Sequence, residues 1–191
     1  MKKNFASIAF TASVKDLQEY YGSRSAYERI EKTRVVDGLS DNERRFIAHS
    51  DSFFMATNGE SGFPYIQHRG GPKGFVKVLD DKRIGFIDFT GNMQYISVGN
   101  LATNNKVALI MVDYPSQSRL KIYATAEIIG LDENPALYDL LSLPEYTYHA
   151  ERMIVLHIEA FDWNCPQHIT PRYTAEEIEA VRAMRDQNGL L

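Results

Sequence analysis

The chain has 191 residues, with 21 lysines and arginines against 25 aspartates and glutamates, for a formal net charge of −4. A pI of about 5.7 gives no global field to draw in nucleic acid or an anionic membrane surface, so any anion has to be held by local donors. With 44% apolar and 24% charged residues the chain is neither disordered nor collagen-like; no run nears the ~18 apolar residues of a membrane span, and a single cysteine, Cys165, excludes an internal disulfide.

In chain order, "MKKNFASIAFTASV" sets two lysines before an apolar stretch. Asn4, Ser7, Thr11 and Ser13 interrupt it and no small-residue cleavage site follows, so the expectation is a cytoplasmic protein without a secretory signal. "SVKDLQEYYGSRSAYERIEKTR" places Leu17, Tyr20, Tyr21, Tyr27 and Ile30 near helical spacing, with Gly22 as a break, and predicts a helical extension over residues 1–39. Ser40 followed by Glu43 is a capping box, in which each side chain satisfies the other's free backbone donor. It opens "NERRFIAHS" as a helix with Phe46 and Ile47 toward the core.

From Ser52 the texture changes to short β-rich runs separated by turn residues. "SFFMAT", "NGESG" and "FPYIQH" predict a hairpin; "GFVKVL" after "RGGPKG" and "IGFIDF" after "DDKR" predict further strands. "MQYISVGNLA" spaces Tyr95, Val98, Leu101 and Ala102 by three and four, which predicts a short helix beginning near Asn92. "KVALIMVDY" and "RLKIYATAEIIG", joined by the turn "YPSQS", predict a strand pair, "NPALYDLLSLP" a short helix, and "RMIVLHIEAFDWN" the last strand. Thr174 and Glu177 form a second capping box, opening a closing helix that Asn188 and Gly189 end. The expectation is one domain of mainly β, α+β type. About six antiparallel strands close into a barrel over residues 40–173, because that many short strands must hide their edges, and helices flank it, the last over 174–191.

The chemistry-bearing stretches leave alternatives open. "RGGPKG" is either a cradle of backbone amides and two cations for a phosphate, or a strand crossing that needs Gly and Pro for its shape; it lacks the Gly-Lys-Ser/Thr and following helix of a nucleotide-triphosphate loop. Cys165 and His168 in "WNCPQH" offer two metal ligands where zinc takes three or four, and His49, His68, His149 and His157 are scattered, so no metal site is expected. Asp88 and Asp113 each end an apolar run, where a carboxylate commonly caps a turn. In "FTGNMQYISVGNL", the polar Asn92, Gln94, Ser97 and Asn100 join two hydrophobic runs. They form either a capped surface connection or a cradle for a polar ligand.

Taken in order, "SFFMATNGESGFPYIQHRGGPKGFVKVLD", "IGFIDFTGNMQYISVGNLATNNKVALIMVDYP", "RLKIYATAEI" and "FDWNCPQHI" resemble the pyridoxamine 5'-phosphate oxidase-like, FMN-binding split-barrel family over roughly Ser40 to Tyr173. The resemblance implies a split barrel that forms a homodimer with FMN at the subunit interface. It further implies flavin contacts from Arg69 and Lys77 on one side and Thr90, Asn92, Gln94, Ser97 and Asn100 on the other, with Arg119 and Lys121 approaching from the partner subunit. The arginine and histidine pattern with which the true oxidase holds its pyridoxal substrate is not found near the C-terminus, so vitamin B6 activity is not carried over. The implied function is electron or hydride transfer through FMN to or from a small molecule, with His68 and Tyr95 the nearest acid–base candidates. A non-catalytic flavin-binding protein, or the same barrel holding haem or a deazaflavin, is the alternative.

Overall fold

The computed structural model describes residues 4–33 and 37–187. Three helices come first: α1 (Phe5–Ala9), α2 (Ala12–Tyr20) and α3 (Arg24–Thr33). Gly22, at φ +73°, breaks α2 from α3 where the sequence predicts. Glu31 then clamps the group, accepting from Lys15 Nζ at 2.8 Å and Arg24 Nη2 at 2.6 Å, while its carbonyl accepts from Asn4 Nδ2 at 2.7 Å. Helix α4 (Asp41–His49) carries the expected capping box, with the Ser40 amide donating to Glu43 Oε2 at 2.9 Å. Ile47 is fully buried, and Phe46 packs against the core.

Seven strands follow: β1 (Ser52–Asn58), β2 (Pro64–Gly70), β3 (Lys77–Val78), β4 (Arg83–Phe89), β5 (Lys106–Asp113), β6 (Ser118–Ile129) and β7 (Ala150–Trp163). They form one antiparallel sheet in the order β2-β1-β5-β6-β7-β4-β3. All seven runs read as strands form one, against a barrel count of about six, and "GFVKVL" contributes only the two-residue β3 at the sheet's edge, paired Lys77 to Gly85 and Val78 to Ile84. Phe75 and Val76 of that run leave the ladder to fill the core, where Phe75 stacks on Phe53 at 5.8 Å.

Burial alternates along β1, β5 and most of β6, as it must when one face looks into a core and the other outward. In β4 and the middle of β7 the alternation disappears. The cause is α6 (Pro135–Leu141), which begins with Asn134 capping Leu137 and lays Leu141 over Ile87 and Met153, so these strands are covered on both faces. Helix α5 (Ile96–Thr103) packs on β1 and β2, and α7 (Ala175–Gln187) closes the chain behind the Thr174–Glu177 box. The predicted end of α7 at Asn188 and Gly189 lies outside the described residues. Among the described residues no helix is long and apolar enough to cross a membrane.

Candidate functional site

Strands β2 and β4 lie near opposite ends of the sheet, yet their side chains meet. Arg69 of β2 donates to the Asp88 carboxylate of β4, and Ser97 at the start of α5 donates to Gln67 Oε1 of β2 at 2.8 Å. The sheet is thus curled into a barrel whose last gap is bridged by side chains instead of a backbone ladder: a split barrel. A small cavity of about 50 Å³ opens in that split. Tyr65, Gln67 and Arg69 line one wall, three alternate residues that a strand necessarily turns to the same side. The opposite wall is Asp88 with residues 91–98, and Glu151 and Arg152 close the end.

Its floor is a buried charge network. Arg152 donates to Asp88 Oδ2 at 3.2 Å and to Glu151 Oε2 at 2.5 Å, so two guanidinium groups face two carboxylates. Burial lifts the Asp88 carboxyl above the ordinary aspartate value, against the opposing pull of Arg69 and Arg152. Glu151 joins the cluster through a register shift: Asp88 pairs with Arg152 and Phe89 with Ala150, which leaves Glu151 unopposed. One donor remains free, since Arg69 Nε is buried without a hydrogen-bond partner.

The wall at residues 92–95 is strained. Met93 and Tyr95 hold φ of +58° and +53°, the left-handed region that costs non-glycine residues roughly 1–3 kcal/mol each and recurs at functional sites. This explains why α5 starts at Ile96 and not near Asn92: the Asn92 side chain accepts the Gln94 amide at 3.2 Å in a local turn, and Tyr95 occupies the cap position without a capping bond. The Tyr95 ring lies 5.3 Å from the Arg152 guanidinium and its hydroxyl reaches Glu151 at 3.4 Å. The first residues of α5, Ile96 to Val98, thus line the cavity opposite Arg69.

Of the residues expected at a cofactor site, Arg69, Asn92, Gln94 and Ser97 line this cavity. Asn100 lies one turn further along α5, donating to the buried Thr57 hydroxyl at 3.0 Å, and exposed Thr90 stands at the rim with its amide on the His149 carbonyl. Three others lie elsewhere in the same chain. Lys77 is on the edge strand β3; Arg119 on β6 donates to the Cys165 carbonyl at 3.1 Å; Lys121 meets Asp162 at 3.6 Å. His68 points away from the split, its ring against Phe54 at 5.3 Å, and Asp113 caps a turn by accepting from Ser116. Sequence reading missed Arg152 and Glu151 altogether. Their signal is "AERM", polar residues opening a long apolar strand, but only the β4–β7 register sets Arg152 opposite Asp88.

An antiparallel split barrel with a strained, charge-lined pocket in its split is the class that fold and site define. The sequence model of the family described as pyridoxamine 5'-phosphate oxidase matches residues 39–154, more than half of the chain, and the chain belongs to that family. Among solved structures, HupZ of Group A Streptococcus is 18% identical with a TM-score of 0.53, covering 71% of this chain and 99% of its own. A candidate pyridoxamine 5'-phosphate oxidase of Lactobacillus delbrueckii is 23% identical with a TM-score of 0.51, covering 66% and 95%. At these identities the likeness establishes the fold. No curated protein matches the sequence.

Proposed function

We propose that this chain is an FMN-dependent oxidoreductase, a homodimer holding the flavin between its subunits. The observation that carries the reading is the pocket in the split, in a member of this family, lined by Arg69 on one side and by the start of α5 on the other. These groups fit a phosphate: a charged donor, hydroxyl and amide side chains, and helix-start amides. Arg69, Asn92, Gln94 and Ser97 would hold it, with Thr90 and Asn100 around it, while Lys77 stands apart on the edge strand. The pocket of one chain, about 50 Å³, is far below the ~300–1,000 Å³ of small-ligand sites, so the remainder of a flavin needs a second wall. A second copy supplies that wall in this reading, bringing Arg119 and Lys121, and Arg119 Nε is likewise buried without a partner. Bound FMN would supply hydride or electron transfer to or from a small molecule, while the chain orients it and excludes water.

The test is the visible spectrum of the purified protein together with the mass of whatever denaturation releases. Released FMN that a reduced nicotinamide donor reduces, and an acceptor reoxidises, supports the reading. Tightly held FMN without turnover points to a flavin carrier, and released haem or deazaflavin overturns the cofactor assignment.

A further inference from the structure

A second and larger cavity stands apart from the split. About 560 Å³ lie between the N-terminal helices and the far end of the β6–β7 ladder, within the ~300–1,000 Å³ of small-molecule sites. Arg152 of the first pocket and Asp162 of this one are both on β7, ten positions apart, which at a strand's rise is roughly 30 Å. The two sites share no residue.

The walls are aromatic and fixed by their own packing. Phe5 stacks on Tyr123 with centroids 4.5 Å apart, Phe10 meets Tyr27 edge to face at 5.4 Å, and Trp163 stands edge-on to Phe46 at 4.8 Å. The charges on the lining do not cancel. Lys121 faces Asp162 at 3.6 Å and lies 4.4 Å from the Phe5 ring centre, a pair that neutralises itself. Glu43, only 5% exposed, has no cation beside it among the described residues: its donors are Trp163 Nε1 at 2.6 Å, the Ser40 amide at 2.9 Å and the Ser40 hydroxyl at 2.5 Å, all neutral. Its own amide, in the first turn of α4, is a further neutral donor, and the α4 dipole steadies the charge. Aromatic faces around an uncompensated, dry carboxylate favour a positive guest.

We propose that this cavity is a second binding site, for a small organic cation with a planar aromatic body, an arylalkylammonium or a protonated N-heteroaromatic amine. The ring lies among Phe10, Tyr27 and Trp163, and the ammonium lies against the Glu43 carboxylate. Lys121, which the flavin reading brings to the partner's FMN, also lines this cavity, but the assignment rests on Glu43 and the aromatic walls and does not use it.

Trp163 is the sole tryptophan, and its indole N–H is the donor on Glu43, so one NMR cross-peak reports on the site. The full chain is titrated with 2-naphthylethylamine and, separately, with its anionic counterpart 2-naphthylacetate, by calorimetry and by that cross-peak. The amine is expected to bind and shift the peak, and the acetate to do neither. Glu43→Gln should weaken the amine by about tenfold or more, the loss of one charged contact. Ala160→Leu narrows the cavity from a wall position outside the Glu43–Trp163 contact and should weaken binding. Equal binding of the acetate, no binding of the amine, or binding by Glu43→Gln or Ala160→Leu as in the parent overturns the proposal, and the amine–acetate comparison decides even if both variants misfold.

Discussion

Asp88 is 4% exposed and shared by two arginines, so each member of the network depends on the others. Read from sequence, Arg69 is a phosphate ligand whose removal tests only cofactor binding. In the structure it also neutralises a buried carboxylate, and removing one partner of such a pair typically costs about 3–5 kcal/mol. Arg69→Ala should therefore lower the urea midpoint strongly; a midpoint within error of the parent would show that Arg152 alone suffices for Asp88. Glu43 gives a second prediction. Burial on its own would raise its carboxyl, but hydrogen bonds from Ser40 and Trp163 outweigh that and hold its pKa below the ordinary value. The unfolded chain then binds the proton more readily, so the stabilisation is present above the ordinary glutamate pKa and lost as pH falls through the depressed one. Thermal melts from about pH 6 down to about pH 3 should show the parent losing its advantage over Glu43→Gln, and parallel curves would refute the assignment.

At the scale of elements, α5 and the β1–β2 hairpin are fitted to each other through one glycine. A Cβ at Gly59 would collide with Asn100 Oδ1, while the Asn100 amide holds the buried Thr57 hydroxyl. Gly59→Ala is expected to destabilise by about 1–3 kcal/mol through overpacking. The cost should shrink in an Asn100→Ala background, and an undiminished cost in the double variant, read from melts, would place the strain elsewhere. Elements whose signals are local were legible: both capping boxes, the hairpin after β1, and α6 between its prolines. The start of α5 was not, because Asn92 is equally able to cap a helix or close a turn, and the left-handed Tyr95 contacts Arg152 and Glu151 of a distant strand.

For the whole molecule, the question is what lies over the split. Phe54 and Ile66 are exposed on the outer face of the β1–β2 hairpin, with Phe63 at its turn, and Met93 and Ile96 are exposed at the split. Met93 and Ile96, beside a pocket too small for a nucleotide, favour a surface there that a second copy covers, while Phe54 and Ile66 face away from the split. In that reading the expected outcome for Met93→Lys is a shift from dimer to monomer in sedimentation velocity with a parallel loss of retained flavin. A dimer that tolerates the change would put the interface on another face.

The sequence by itself determined the order of elements, the mixed α and β class, the two capped helices and the family, since all of these are written in short-range periodicity, turn chemistry and motifs in series. It also located one wall of the pocket, Asn92 to Ser97, and Arg69 opposite. What only the tertiary structure decided is the rest of that pocket and the existence of the other: that Arg152 and Glu151 join Asp88, that Lys77, Arg119 and Lys121 stand apart from it within one chain, and that the N-terminal helices roof a cavity around Glu43. The reason is physical: strand register and sheet curl bring together residues dozens of positions apart, and neither leaves a local trace in the chain.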